Sequence, residues 1–170
     1  MKLVTSRLLL APLEVRHSQE WYDVSNDNGL TQFQISNYKM NSIEEARKWI
    51  QEKTEYLKRN GIGTIGVFHQ HDSKLIGLCA LKYLGEEKKS DIEIMFRLSE
   101  KVWGQGYGTE IAHSLVRYAE STLHLKTVVA TVDLKNERSK AVLKKMGFAF
   151  EKMLHIQGLE EELHRLKFEN

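Results

Sequence analysis

The sequence predicts an α/β (α+β) protein in which helices flank a mixed sheet. Three observations carry this. "DIEIMFRL" alternates with period two, "SIEE" opens a helical period, and the β-branched run "TVVATVDL" lies between two helical patterns.

Taken in order, "MKLVTSRLLLAPLE" reads as a first strand over about 3–10, ended by Pro12, rather than as a signal peptide. A helix follows near 18–26, with Trp21, Tyr22 and Val24 as its packing residues, and then a polar and aromatic loop, "NGLTQFQISNYKMN". Ser42 can cap the amide of Glu45 while the Glu45 side chain reaches back, so a second helix starts there. It keeps Ala46, Trp49, Ile50, Lys53 and Leu57 at helical spacing until Asn60-Gly61 stops it. "IGTIGVFHQ" and "KLIGLCALKYL" read as strands joined through the hairpin loop "HQHDSK". In the next strand Ile92, Ile94, Phe96 and Leu98 take one face and Glu93, Met95 and Arg97 the other. Ile111, Ala112, Leu115, Val116 and Ala119 form the stripe of a helix over about 106–125. "TVVATVDL" is a strand, "NERSKAVLKKMGF" a short helix ending at Gly147, and the tail two strands around Gly158.

Composition narrows the function classes. The 170 residues fit one domain spanning 1–170, and no repeat or linker divides them. The charges, 25 basic against 23 acidic, leave a formal +2, too little to argue for a nucleic-acid or membrane surface. Cys79 is the only cysteine; it lies in an apolar strand and reads as a buried structural thiol. No apolar stretch approaches the ~20 residues of a membrane span, and the cytoplasm is the default compartment.

"VWGQGYGTE" places Gly104, Gly106 and Gly108 where a strand gives way to a helix. Such a junction presents unpaired amides and a partial charge of about +0.5, suited to phosphate. The P-loop pattern fails because no lysine precedes Thr109, and the dinucleotide pattern fails because its third glycine would fall on Ile111. On its own the loop supports either anion binding or close helix-to-sheet packing.

Together with "NERSKAVLKKMGF", which sets Asn136 at a helix start and Ser139 one turn on, this loop resembles the pyrophosphate loop Q/R-x-x-G-x-G/A of the GNAT superfamily of N-acetyltransferases. The resemblance covers nearly the whole chain. "TSRLLLAPL", "SIEEARKWI", "KLIG" and "IEIMFRL" are similar, in order and spacing, to the RimJ/RimL-like branch, named for ribosomal-protein-alanine N-acetyltransferases. It implies a single-domain, mostly antiparallel sheet of about seven strands with four helices, splayed between the fourth and fifth predicted strands, 92–98 and 127–134. Four positions depart from the family pattern. Trp103 stands at the Q/R position, Ala11 where an arginine often closes the first strand, Met95 where glycine is common, and Leu143 where many members carry an acid tyrosine.

By that resemblance the co-substrate is acetyl-CoA, with no metal. Its diphosphate would lie on the amides of Trp103, Gly104, Gln105, Gly106, Tyr107, Gly108 and Thr109. Its pantetheine arm would run along Phe96, Arg97 and Leu98, and Asn136 would hold the far end of that arm. The Phe96 amide would face the thioester oxygen that gains charge. The resemblance implies a primary amine as acceptor, with a protein or peptide N-terminus favoured; an α-amine, with a pKa of ~8, needs less help to lose its proton than a lysine amine at ~10.4. Glu93 is the candidate base, directly or through water, against the alternative of a solvated strand glutamate. Ser139 is the candidate donor to the departing thiolate, against a serine bonded to its own helix. Phe33 and Tyr38, with Met40 in the 29–41 loop, are expected at the acceptor. Competing readings are a small-molecule (antibiotic or polyamine) acetyltransferase and a CoA-binding module without turnover. No nucleic acid or membrane partner is expected, and a homodimer is compatible with the resemblance. His69 and His71, with no evident carboxylate partner, read as surface residues rather than metal ligands. "EEKKSD" and "LEEELHR" read as solvated faces.

Overall fold

Alternating apolar residues pair the strands into one eight-stranded sheet, and two amphipathic helix pairs cover its faces unequally. The computed structural model describes residues 1–33, 38–86, 91–156 and 158–168. Its strands are β1 (Leu3–Val4), β2 (Leu8–Ala11), β3 (Thr64–His69), β4 (Leu75–Tyr83), β5 (Ile92–Leu98), β6 (Thr127–Asp133), β7 (Ala149–Ile156) and β8 (Leu159–Lys167). The helices are α1 (Ser18–Ser25), α2 (Asn28–Thr31), α3 (Ile43–Asn60), α4 (Tyr107–Ser121) and α5 (Glu137–Lys145). The sheet order is β1-β2-β3-β4-β5-β6-β8-β7, and among the described residues only β5 and β6 run parallel. They share a single register pair, Glu93 with Val129, so the sheet opens beyond it toward their C-terminal ends. That opening is the splay expected between 92–98 and 127–134. The ladder between β4 and β5 is unbroken, so Met95 sits opposite Ala80 in regular register.

Two sequence expectations change in detail. The strand expected over 3–10 is a hairpin of β1 and β2, because the polar run Thr5-Ser6-Arg7 turns the chain. Thr5 Oγ1 accepts from the Leu8 amide at 2.9 Å, and Glu110 of α4 collects Thr5 Oγ1 (2.5 Å) and the Arg7 amide (2.9 Å). The loop after α1 contains the one-turn helix α2. Asp27 nucleates it by accepting from the Gly29 amide, and the same carboxylate is tied to Ser99 Oγ at 2.7 Å and the Glu100 amide at 2.8 Å. Four residues carry no periodicity, so that turn depends on a tertiary anchor.

The α3 cap forms as expected, Ser42 Oγ accepting from Glu45 N at 3.1 Å, but the Glu45 carboxylate reaches back to the Asn41 amide at 2.8 Å. Gly61 ends the helix in the left-handed conformation, φ 74°. Trp21 is fully buried and stacks on Trp49 at 4.7 Å, so α1 and α3 together seal the β2–β4 half of one sheet face. Tyr22 and Val24 pack against the same cluster. The opposite face is covered by α4, whose Ile111, Ala112, Leu115 and Ala119 are all fully buried. Cys79 is buried in that core, and burial pushes its thiol well above the ordinary range, as expected for a structural cysteine.

Candidate active site

The half of the first face that α1 and α3 leave uncovered is where the polar residues of β5, β6 and β8 gather. With the β5–β6 opening and the start of α4 they line one cavity of about 1050 Å³. That is large enough for an elongated ligand as well as a second reactant.

One wall is backbone. Gly104 and Gly106 take φ of 76° and 80°, where a Cβ is strained, so the chain can curl into the first turn of α4. A Cβ at Gly108 would come within 3.1 Å of the Phe96 ring, which makes that glycine a close-packing residue. Gly106 caps α4 with no side-chain acceptor, and among the described residues the amides of 104–109 have no protein partner. The Trp103 amide is different: it donates to Glu100 O at 3.1 Å. Trp103 instead gives its ring, fixed by an Nε1 bond to Leu98 O at 2.9 Å, and Arg138 of α5 lies 4.5 Å over it. That guanidinium brings a cation to the loop although position 103 itself is uncharged. The one acid in this first turn, Glu110, points away, into an ion pair with Arg7 at 2.7 Å. Arg7 in turn donates to Gln105 O at 2.9 Å and lies 4.3 Å over the Tyr107 ring, bracing the loop from behind. The free amides, the cation and the averted carboxylate fit a bound diphosphate.

The far wall is side chains. Glu93 is 4% exposed, which removes the reading of a solvated glutamate. Its Oε1 accepts from Thr131 Oγ1 at 2.6 Å and its Oε2 pairs with Lys82 Nζ at 3.1 Å. Burial pulls the Lys82 ammonium down, but the negative charge of Glu93 and the nearby Tyr38 outweigh it, so its pKa is raised. Arg97 lies 4.8 Å over Tyr38 and donates to Phe33 O at 3.2 Å, while its buried Nε has no hydrogen-bond partner. Phe33 and Tyr38 therefore line the cavity, together with Gly29. Met40 does not; it is 3% exposed in the core beneath α1 and α3. Residues 34–37 of that loop lie outside the described residues.

Between the walls stands the start of α5. Asn136 Oδ1 caps the helix by accepting from the Ser139 amide at 3.1 Å. Ser139 Oγ has no protein partner among the described residues and lines the cavity, so it is not spent on its own helix. Phe96, Leu98 and Leu143 line the same space.

Glu161, Thr131, Lys82 and Arg138 are cavity residues that no sequence motif singles out. "LEEELHR" is not a solvated face throughout: Glu161 is 7% exposed, and Glu162 is held by Lys140 at 2.8 Å and His164 at 2.7 Å. The signal lies in the alternation of β8, which puts Glu161 on the same face as the buried Leu163. In "EEKKSD", residues 87–90 lie outside the described residues, and Asp91 is held by both terminal nitrogens of Arg165, at 2.8 and 2.7 Å. His69 and His71 do have a carboxylate nearby, Asp72 at 3.6 and 3.9 Å, yet no metal-binding group of three occurs among the described residues. No helix among the described residues is long and apolar enough to cross a membrane.

The acetyltransferase (GNAT) domain family matches residues 7–149, which include the 104–109 loop, β5, β6 and α5. The N-acetyltransferase YoaA of Bacillus subtilis (strain 168), itself uncharacterized, is 30% identical over 154 residues, covering 89% of this chain and 85% of that protein. Among solved structures, RimL, the ribosomal L7/L12 α-N-protein acetyltransferase in complex with coenzyme A, superposes with a TM-score of 0.82 at 19% identity. The match covers 97% of this chain and 96% of RimL. The microcin C7 self-immunity acetyltransferase MccE, in complex with acetyl-CoA and AMP, gives 0.80 at 16% identity over 96% and 93% of the two chains. Fold, loop and family match agree: the chain belongs to the GNAT family of acetyl-CoA-dependent N-acetyltransferases.

Proposed function

We propose that the protein moves an acetyl group from acetyl-CoA to a primary amine, a protein or peptide N-terminus being favoured, by direct attack within a ternary complex. The observation that carries this reading is that the unpartnered amides of 104–109 and the buried carboxylates of the far wall open onto one cavity. Bound acetyl-CoA supplies the activated acyl group.

The chain's own residues do the rest. The amides of Gly104 to Thr109 hold the diphosphate, while Trp103 and Arg138 flank it. Phe96, Arg97 and Leu98 guide the pantetheine arm through the β5–β6 opening, with the Phe96 amide directed at the oxygen that gains charge. Asn136 steadies the arm with the amide nitrogen that its capping oxygen leaves free. Ser139 Oγ donates to the departing sulfur. The amine must lose a proton before it attacks, and the carboxylate network around Glu93 receives it. Phe33 and Tyr38 shape the acceptor entrance.

A thiol-release screen with acetyl-CoA against peptide N-termini, spermidine and an aminoglycoside tests the reading. Turnover fastest on a peptide N-terminus is expected. Preference for either small amine would move the assignment to a small-molecule acetyltransferase, and coenzyme binding without turnover on any amine would favour a non-catalytic module.

A further inference from the structure

Besides Glu93, the far wall holds a second buried carboxylate, Glu161. It lies on β8 in register with Asp133 of β6 on one side and Leu154 of β7 on the other, and it faces the cavity with 7% exposure. Thr131 stands on β6, the strand between those of Glu93 and Glu161; its hydroxyl donates to Glu93 and also favours the charged form of Glu161. A threonine hydroxyl has one hydrogen to give. It goes to Glu93 at 2.6 Å, and Lys82 neutralises the same carboxylate at 3.1 Å. Both oxygens of Glu93 are therefore engaged, one by a hydroxyl and one by an ammonium. Glu161 is the opposite case: as an anion it competes for a hydrogen already committed, and as an acid it can donate to the Thr131 oxygen.

The surroundings of Glu161 agree with this. Burial pushes its carboxyl above the ordinary glutamate value; the Thr131 contact opposes the rise, Glu93 adds to it, Arg97 opposes it and Asp133 adds to it. Lys82 of β4 is engaged by Glu93, and His155 of β7, which also lines the cavity, is paired with Glu160 at 3.0 Å.

We propose that Glu161, with Thr131 and Glu93 behind it, is the group that takes the proton from the acceptor ammonium. The inference rests on the amine-acetylation reading above. One proton passes from the ammonium nitrogen to the Glu161 carboxylate, leaving a neutral amine. That nitrogen bonds to the acyl carbon, the carbon–sulfur bond breaks, and the second amine proton leaves with the sulfur as thiol. Glu161 then returns its proton to water. Glu93 and Lys82 stay paired; they are positioning residues that keep the Thr131 hydrogen away from Glu161.

Two measurements test it. The first is initial velocity by thiol release, from pH 6 to 9, with the best amine from the screen, for wild type, Glu161→Gln, Glu161→Asp and the control Glu160→Gln. Glu161→Gln is expected to lower kcat/KM about 100-fold or more near pH 6.5. The deficit should shrink as pH rises past the amine's own pKa, with Glu161→Asp partly restored, Glu160→Gln near wild type and acetyl-CoA affinity unchanged. A loss below threefold, or a ratio to wild type that is flat with pH, overturns the proposal. The second needs no acceptor: a carbon-13 NMR titration of glutamate-labelled protein. It should show one carboxyl titrating above the ordinary range, missing in Glu161→Gln and shifted downward in Glu93→Gln. If no such carboxyl exists, or if Glu93→Gln leaves it in place, Glu161 is not coupled to Glu93 as described. Failure of the amine screen alone would count against the reaction, while the NMR titration would still decide the state of Glu161.

Discussion

The two walls of the cavity are built in opposite ways. The wall proposed for the donor is backbone from one continuous segment: residues 104–109 present amides, two of its glycines adopt left-handed φ, and the neighbouring Glu110 is turned outward to Arg7. The wall proposed for the acceptor is side chain from four strands: Lys82 of β4, Glu93 and Arg97 of β5, Thr131 of β6 and Glu161 of β8. A diphosphate can be held by any backbone that offers free amides, so that wall depends on conformation more than on residue type. The proton transfer proposed for the second wall needs particular functional groups under a particular local field, and only long-range register brings them together.

Breaking the donor wall should cost the most. Gly106→Val places a β-branched residue at φ 80°, a conformation that costs roughly 1–3 kcal/mol. Acetyl-CoA affinity by calorimetry should fall about tenfold or more, and unchanged affinity would detach the loop from coenzyme binding. On the acceptor wall, Glu93→Gln leaves Lys82 without its anion. Stability in urea should fall by about 1–2 kcal/mol, reduced from the fully buried case because the Lys82 side chain is 38% exposed, with coenzyme affinity kept. A parallel loss of affinity would show that the walls are not separable. Ser139→Ala probes the seam between them and should lower kcat about tenfold while affinity holds; full turnover would remove the serine from the chemistry. Arg7→Ala removes the brace behind the loop without touching its amides. A three- to fivefold weaker coenzyme affinity is expected, about 1 kcal/mol, and no change would mean that the loop holds its shape unaided.

The same contrast explains what is legible in the sequence. "WGQGYGTE" and "NERSKAVLKKMGF" are local patterns, so the donor wall, α4 and the cap of α5 follow from neighbouring residues alone. The alternation in "DIEIMFRL" correctly puts Glu93 opposite the core. What alternation cannot supply is company: Lys82 reaches Glu93 only through the β4–β5 register, and Thr131 only through the single β5–β6 pair. Glu161 is hidden by composition, since its run of three glutamates looks solvated until Leu163 reveals which face is inward. The first hairpin is hidden for a similar reason. Its turn is stabilised by Glu110, a residue of α4 far along the chain.

The division of labour between the walls can be tested in one titration of nitrogen-15 and carbon-13 labelled protein with coenzyme A. The amide resonances of Gly104, Gly106 and Gly108 should move most and saturate together, while the carboxyl resonances of Glu93 and Glu161 stay in place. Still amides in that loop, or shifts concentrated at the carboxyls instead, would contradict the assignment of the diphosphate to the start of α4.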